Sequence, residues 1–195
     1  MSPLSKDEQR CLLQLARRSI AARLKDETLD LRAWNAACSF PELLEAGAAF
    51  VTLRCGGELR GCIGSVRREQ PLYRAVAESA VSAATRDSRF APVTVGELAR
   101  LEIEISVLSP FRSITPEELQ PGEHGLLVSR GFQRGLLLPQ VARERRWSRE
   151  RFLEETCVKA GLPRNAWQRG AQLEAFTACV FSEAELGEPP ATEPR

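Results

Sequence analysis

The chain has 195 residues, of which 43% are hydrophobic, and its 27 Lys and Arg residues nearly balance its 26 Asp and Glu residues. This length suits one domain or two closely joined subdomains, and the balanced charge speaks against a dedicated nucleic-acid-binding protein, which usually carries a strongly basic face. No apolar run approaches the roughly 18 residues of a membrane span, and the charged N-terminus lacks a signal-peptide core, so a cytoplasmic location is predicted.

Six cysteines and a single histidine are spread along the chain without a Cys-x-x-Cys pair. A structural zinc site needs clustered thiolates and imidazoles, and neither a GxGxxG nucleotide-binding loop nor a Walker loop occurs. We therefore expect no metal and no cofactor. The thiols should be reduced, as is usual in the cytoplasm.

The first predicted element is an amphipathic helix. Ser5 and Glu8 have the spacing of a capping box, and apolar residues then recur at helical spacing to about Lys25. The following segment, residues 29–47, is predicted to be a connection.

A hairpin comes next. Gly56 and Gly57 can adopt the positive φ angles of a two-residue turn, and the apolar segments on either side, residues 48–55 and 58–66, read as its strands. In the register of that turn, Cys55 and Cys62 share one face of the sheet but lie too far apart for a disulfide.

The middle of the chain predicts a helix and a strand. Pro71 begins an alanine-rich helix over residues 71–85, and a capping box follows at Thr94 and Glu97. Residues 101–110 alternate between apolar and polar side chains, which is typical of a strand with one buried face. Thr115 is expected to cap a further short helix.

The last third predicts two strands around a glycine turn over residues 125–142, a helix that starts at Ser148, and a final strand over residues 173–183. Residues 183–195 are predicted to form a disordered C-terminal tail because the segment is rich in proline and charge. Strands and helices intermingle without a regular βαβ rhythm, which favours the α+β class.

Cys62 is the first candidate for chemistry, because Arg60 precedes it and the small residues Gly61 and Gly64 leave its backbone open to approach. Nearby positive charge and partial exposure favour a reactive thiolate. The structural alternative is a buried cysteine whose neighbouring glycines serve tight packing. Local sequence alone favours that alternative modestly.

Two other segments carry candidate residues. His124 is the single imidazole of the chain and therefore the obvious group to exchange a proton with a thiol near neutral pH. In the segment TRDSRF, Arg86 and Arg89 could bind an anion and Asp87 could orient a histidine. A capped helix end with a local Arg–Asp pair explains the same residues equally well.

Six segments occur together in one order: FVTLRCGGELRGCIGS, SAATRDSRF with PVT and EL after it, LEIEISVLSP, HGLLV, GLLLPQVA, and C.KAGLP..AW. Over roughly residues 8–182 they closely resemble the AMME-syndrome candidate protein family, called AmmeMemoRadiSam system protein A in prokaryotes. The hexapeptide LRGCIG, Leu59–Gly64, is highly specific to that family.

The resemblance implies a single AMME-type α+β domain over residues 1–182, with two interlocked subdomains, antiparallel or mixed sheets, packed helices and a cleft between the subdomains. The prokaryotic name implies a Memo-like protein and a radical-SAM protein as partners in a shared pathway, without specifying a reaction. The family's motif residues match here without substitution, which favours one common site: Arg60, Cys62, Asp87, Arg89 and His124.

The leading hypothesis is a cysteine-dependent enzyme, or a component of one, acting on a small molecule or a modified residue. Its catalytic residues would be Cys62 as nucleophile, His124 as base or acid, and Asp87. Its substrate-binding residues would be Arg60, Arg86 and Arg89 as an anion clamp, with Gly61 and Gly64 giving access and backbone N–H groups for an oxyanion. The alternative is a non-catalytic adaptor for the two partners. Nucleic-acid or translation-associated binding is less favoured because of the charge balance.

Overall fold

The computed structural model describes residues 4–187. Its helices are α1 (Lys6–Leu24), α2 (Leu31–Ala37), α3 (Pro41–Leu44), α4 (Leu72–Thr85), α5 (Pro139–Glu144), α6 (Arg149–Lys159) and α7 (Glu183–Leu186). Its strands are β1 (Ala46–Cys55), β2 (Glu58–Gly64), β3 (Gln70–Pro71), β4 (Leu101–Leu108), β5 (Arg112–Ser113), β6 (Gly125–Arg130), β7 (Gln133–Leu137), β8 (Gln172–Phe176) and β9 (Ala178–Ser182). Short 3₁₀ helices span Val95–Arg100, Pro116–Glu118 and Ala166–Gln168.

The described chain divides into two compact units. The terminal unit contains residues 4–107 and 179–187, and the central unit contains residues 108–178. Each unit combines helices with its own sheet, and the hairpins β1–β2 and β6–β7 are antiparallel. The predicted α+β class is confirmed. No helix within residues 4–187 combines the length and apolarity that crossing a membrane requires.

The terminal unit is built on a five-stranded sheet in which β2, β1, β4 and β9 lie side by side in that order, while β3 pairs with the start of β1. Helix α4 packs on β1 and β2, and α1 packs on α4. Alternate residues of β4 from Leu101 to Val107 are buried, as the apolar–polar alternation predicts. Small side chains such as Ala80 and Ala83 let α4 lie close to the sheet.

The central unit has a four-stranded sheet in the order β5, β8, β6, β7, with antiparallel pairing throughout. Helix α6 packs against β6 and β7. A separate apolar core results, in which Val128 of β6 and Phe152 of α6 are fully buried. The turn between β6 and β7 contains Gly131 at φ +61°, which confirms the predicted glycine turn.

Helix starts agree well with the sequence. Ser148 caps α6 by accepting a hydrogen bond from the N–H of Arg151. Both hydrogen bonds of a capping box are present at three predicted starts: Ser5–Glu8, Thr94–Glu97 and Thr115–Glu118. These signals are local, so tertiary packing does not override them.

The predicted connection over residues 29–47 contains two short helices, α2 and α3. Asp30 caps α2 by accepting hydrogen bonds from two N–H groups, and Trp34 stacks on Tyr73 of α4 with ring centroids 4.8 Å apart. Helices this short gain their stability from such tertiary contacts, and helical periodicity is hard to detect over so few residues.

The C-terminal region differs from the prediction in two ways. The expected final strand is two strands, β8 in the central unit's sheet and β9 in the terminal unit's sheet, separated at Thr177. The start of the predicted tail is also wrong, because residues 183–186 form α7, which Ser182 caps, and Glu183 is buried. Residues 188–195 of the predicted tail lie outside the described residues.

Candidate functional site

A β-bulge in the β1–β2 hairpin decides which way Cys62 points. Leu53 lies opposite Gly61 and Arg54 opposite Leu59, so Arg60 is an extra residue without a partner on β1. One extra residue reverses the facing of every side chain beyond it. Cys62 therefore shares a face with its partner Thr52, and the prediction that it shares a face with Cys55 is wrong. All six cysteines are free thiols.

Close packing explains both glycines that flank the thiol. A Cβ atom on Gly61 would overlap the carbonyl oxygen of Ala83, near the end of α4. A Cβ atom on Gly64 would overlap the carbonyl oxygen of Ala49 and the backbone of Phe50. Both clashes involve backbone atoms that cannot move cheaply. The structural role that the sequence favoured for these glycines is therefore present, whatever else they do.

Two side chains from the segment after α4 hold the backbone of Cys62. Strand β2 is at the edge of its sheet, so its outward N–H and C=O groups have no neighbouring strand. The N–H of Cys62 donates to Oδ2 of Asp87 at 2.8 Å, and the C=O of Cys62 accepts from Nη2 of Arg89 at 3.4 Å. Asp87 and Arg89 thus take the place of a partner strand at this residue.

Asp87 is a buried carboxylate with several donors. Besides Cys62, it accepts from Nε and Nη2 of Arg89 at 2.9 and 2.7 Å and from the N–H of Arg89 at 3.2 Å. The Arg89 guanidinium, together with the N–H groups of Cys62 and Arg89, holds the pKa of the Asp87 carboxyl well below its usual range. Asp87 therefore positions Cys62 and Arg89 as a permanent anion.

The thiol of Cys62 lies on the sheet face away from α4 and is partly buried. Oγ1 of Thr52 donates a hydrogen bond to Sγ at 3.2 Å. The side chain of Arg89 is 56% exposed, and negative charge on Cys62 is among the causes that raise the pKa of Arg89, after its hydrogen bond to Asp87. Arg89 therefore places a half-exposed positive charge next to the backbone of Cys62.

Arg60, the bulge residue, ties β2 to the loop after α4. Its Nε donates to Oε1 of Glu97 at 2.7 Å, and Nη1 and Nη2 donate to the carbonyl oxygens of Ala91 and Pro92 at 2.7 and 3.3 Å. The Arg60 guanidinium and the Thr94 N–H lower the pKa of Glu97 from 4.5 to about 2, although burial acts in the opposite direction. Arg60 thus has most of its donors engaged within the protein.

The shifted pKa of Glu97 predicts how Glu97 contributes to stability as pH changes. Glu97 binds a proton more weakly in the folded chain than in the unfolded chain, so its contribution is complete above about pH 5 and is lost as pH falls toward about 2. We expect Glu97→Gln to destabilise the protein at pH 6 by more than at pH 2.5. Urea unfolding of both proteins at a series of pH values measures this. A difference between them that does not change with pH would contradict the prediction.

Two predicted residues remain, Arg86 and His124. Arg86 caps the end of α4 and its side chain is exposed, lining a cavity that Cys62 does not line. His124 lies in the central unit, where its Nδ1 accepts a hydrogen bond from the N–H of Gln120 at 3.2 Å. A neutral imidazole with Nδ1 accepting carries its proton on Nε2. A pairing of His124 with Cys62 stays a prediction.

Two members of the site were not predicted from the sequence. Thr52 contacts the thiol only because of the bulge, and no local sequence pattern predicted that bulge. Glu97 was recognised as a cap for Thr94, but its second role as partner of Arg60 joins residues 37 positions apart. Among residues 4–187, no three histidine, cysteine or acidic side chains come together where they could hold a metal ion.

The fold and this geometry define an α+β protein of two compact units in which a thiol is fixed on the edge strand of one sheet. The family model AMMECR1 matches residues 13–181. The chain is 40% identical to a protein of Methanosarcina barkeri, with 91% of each chain covered, and 41% identical to one of Methanothermobacter thermautotrophicus, with 93% and 97% covered. It is also similar to the crystal structure of the uncharacterized protein PH0010 from Pyrococcus horikoshii, with a TM-score of 0.80, 38% identity and 94% and 95% covered. The chain belongs to the AMMECR1 family.

Proposed function

We propose that the chain is a cysteine-dependent enzyme, or a component of one, in which Cys62 attacks an electrophilic centre of a small molecule or modified residue. The observation that supports this most is the double fixation of the Cys62 backbone by Asp87 and Arg89. A nucleophile gains rate from being held in one orientation.

The residues around the thiol then have separate roles. The Cys62 thiol first loses its proton to solvent, and the thiolate then supplies the electron pair for a new S–C bond to the substrate, while the leaving group departs with the electron pair of the bond that breaks at that carbon. Arg89 donates to the C=O of Cys62 and its side chain is half exposed, so it can bind an anionic group of the substrate. Asp87 is a positioning residue, because its oxygens are occupied by Cys62 and Arg89.

One predicted assignment changes within this proposal, and one stays. The N–H of Cys62 already donates to Asp87, so it is unavailable to an oxyanion. His124 keeps its predicted role as base or acid, and because its Nδ1 accepts from the N–H of Gln120, Nε2 is the nitrogen left to exchange a proton. Solvent can take the thiol proton.

The proposal predicts selective modification of Cys62 by an electrophile. Burial raises the pKa of the Cys11, Cys157 and Cys179 thiols, which keeps them protonated. We expect iodoacetamide at about pH 6 to 7 to modify Cys62 first in the folded protein, because its backbone is held in one orientation and its side chain is partly exposed. Peptide mass spectrometry after short exposures gives the rate at each cysteine.

Two arginine variants sharpen this measurement. Arg89→Gln should slow modification of Cys62 severalfold, whereas Arg86→Gln should leave the rate unchanged, because Arg86 lines a cavity that Cys62 does not line. Preferential labelling of other cysteines in the folded wild type, with Cys62 unmodified, would contradict a nucleophilic role.

A non-catalytic adaptor is the alternative, and one observation favours it. Phe132, at the turn of the β6–β7 hairpin, is fully exposed, and exposed aromatic side chains are enriched at protein interfaces. The partners proposed for either function are a Memo-like protein and a radical-SAM protein. An adaptor would keep such a partner after Cys62→Ser, whereas the enzyme would lose turnover.

A further inference from the structure

We propose that a second site in the terminal unit binds a small monovalent anion with an apolar body. The site is a cavity of about 440 Å³ between α1, the segment after α1, and α4. Its size falls within the range of about 300–1,000 Å³ that is usual for small-molecule sites. Cys62, Asp87 and Arg89 do not line it, so it goes beyond the proposed function.

The floor of this cavity is apolar. Ala22 of α1 and Ala77 of α4 are buried beneath it, and Val81, Leu29 and Leu31 are half-buried around it. Small side chains on two packed helices leave the volume open, and the larger aliphatic groups offer contact to an apolar ligand. Such a lining binds a hydrocarbon or aromatic body better than a polar one.

Arg86 is the polar group best placed to select the ligand. Its backbone N–H donates to the carbonyl oxygen of Ser82, which anchors the residue at the end of α4. Within residues 4–187 its guanidinium has no hydrogen bond or ion pair, and the residue lines the cavity. Arg23, on the opposite helix, has only a 3.3 Å pair with Asp26, and both side chains are exposed.

The other charged residues that line the cavity determine which net charge the ligand can carry. Glu27 and Glu78 also line the cavity, so two carboxylates balance the two arginines. Glu78 accepts a hydrogen bond from Nε2 of Gln70 at 2.9 Å. A neutral lining does not attract a polyanion, and binding depends on direct contact with Arg86. A carboxylate, sulfonate or phosphate monoanion on an apolar body therefore fits best.

Two fluorescent probes with the same aromatic body test this site. Anilinonaphthalene sulfonate carries one negative charge, and N-phenyl-1-naphthylamine carries none. We expect Arg86→Gln to weaken binding of the sulfonate about tenfold, since one charge-assisted hydrogen bond is lost, and to leave the uncharged probe unaffected. Arg74→Gln, an exposed arginine of α4 outside the cavity, is the matched control.

Filling the cavity gives a second measurement. Val81→Phe, and separately Ser82→Phe, should weaken both probes, with melting temperatures recorded to exclude unfolding. We expect the Cys62→Ser variant to bind both probes as the wild type does. The test of this site is therefore independent of the cysteine hypothesis. Equal sulfonate affinity in Arg86→Gln and Arg74→Gln, or binding unchanged by both filling variants in the folded protein, would overturn the proposal.

Discussion

Replacing Arg17 by alanine is expected to lower the free energy of unfolding by about 3–5 kcal/mol, because it leaves a buried carboxylate without its partner. Arg17 and Glu183 are 8% and 5% exposed. Nε and Nη2 of Arg17 donate to the two carboxylate oxygens of Glu183, each at 2.6 Å. Urea unfolding at neutral pH measures the loss.

Both members of the ion pair also form hydrogen bonds with the backbone, so disrupting the pair lowers the free energy of unfolding further. Nη1 and Nη2 of Arg17 also donate to the carbonyl oxygens of Leu98 and Leu101 at 2.9 and 2.7 Å. Oε2 of Glu183 further accepts from the N–H of Ile103 at 2.9 Å. Removal of one member leaves several buried polar groups unpaired.

Two controls separate this effect from simple loss of a charge. Arg10→Ala removes an exposed pair with Asp7 and should cost no more than about 1 kcal/mol. The double variant Arg17→Met with Glu183→Leu should recover much of the stability, since no unpaired charge is left behind. A loss for Arg17→Ala as small as that for Arg10→Ala would show that the buried pair is not important for stability.

Gly61→Ala is expected to destabilise the protein by about 1–3 kcal/mol, the usual cost of overpacking. The added methyl group would meet the carbonyl oxygen of Ala83, and either α4 or β2 would have to shift. Gly96→Ala is the matched control, because nothing lies within 4 Å of a Cβ there. That variant should be neutral or slightly stabilising.

The same two variants test whether the close packing of Gly61 affects the reactivity of the Cys62 thiol. A shift of β2 would disturb the hydrogen bonds that hold Cys62, so Gly61→Ala should also change the rate at which iodoacetamide modifies Cys62 in the folded protein. Melting temperature and alkylation rate are measured together. A destabilised Gly61→Ala protein with an unchanged alkylation rate would show that the glycine serves only the architecture of the hairpin.

Local signals in the sequence predicted much of the fold. Capping boxes, the paired glycines at positions 56 and 57 and the alternation along β4 each depend on neighbouring residues only. Features set by distant contacts were missed. Helix α2 depends on the stacking of Trp34 on Tyr73, and the division into β8 and β9 depends on which sheet accepts each strand.

In the candidate site, too, local sequence patterns identified residues but not the contacts that depend on distant parts of the chain. The LRGCIG and TRDSRF segments identified Cys62, Asp87 and Arg89, which do lie together. Their roles were less predictable, because the bulge at Arg60 changes the direction of every later side chain in β2. No sequence pattern marks the position of a bulge in a strand. Neither the contact of Thr52 with the thiol nor the Arg60–Glu97 pair could therefore be inferred.

The arrangement of the terminal unit also constrains how the protein matures on the ribosome. Its first 107 residues are synthesised before the central unit, but β9 and Glu183 follow only afterwards. Arg17 therefore emerges 166 residues ahead of the carboxylate that neutralises it. Until then the sheet lacks its last strand and a buried cation lacks its counterion, so the nascent terminal unit cannot complete its core. The central unit is continuous in sequence, so all of its residues have been synthesised before the last strand of the terminal unit is complete.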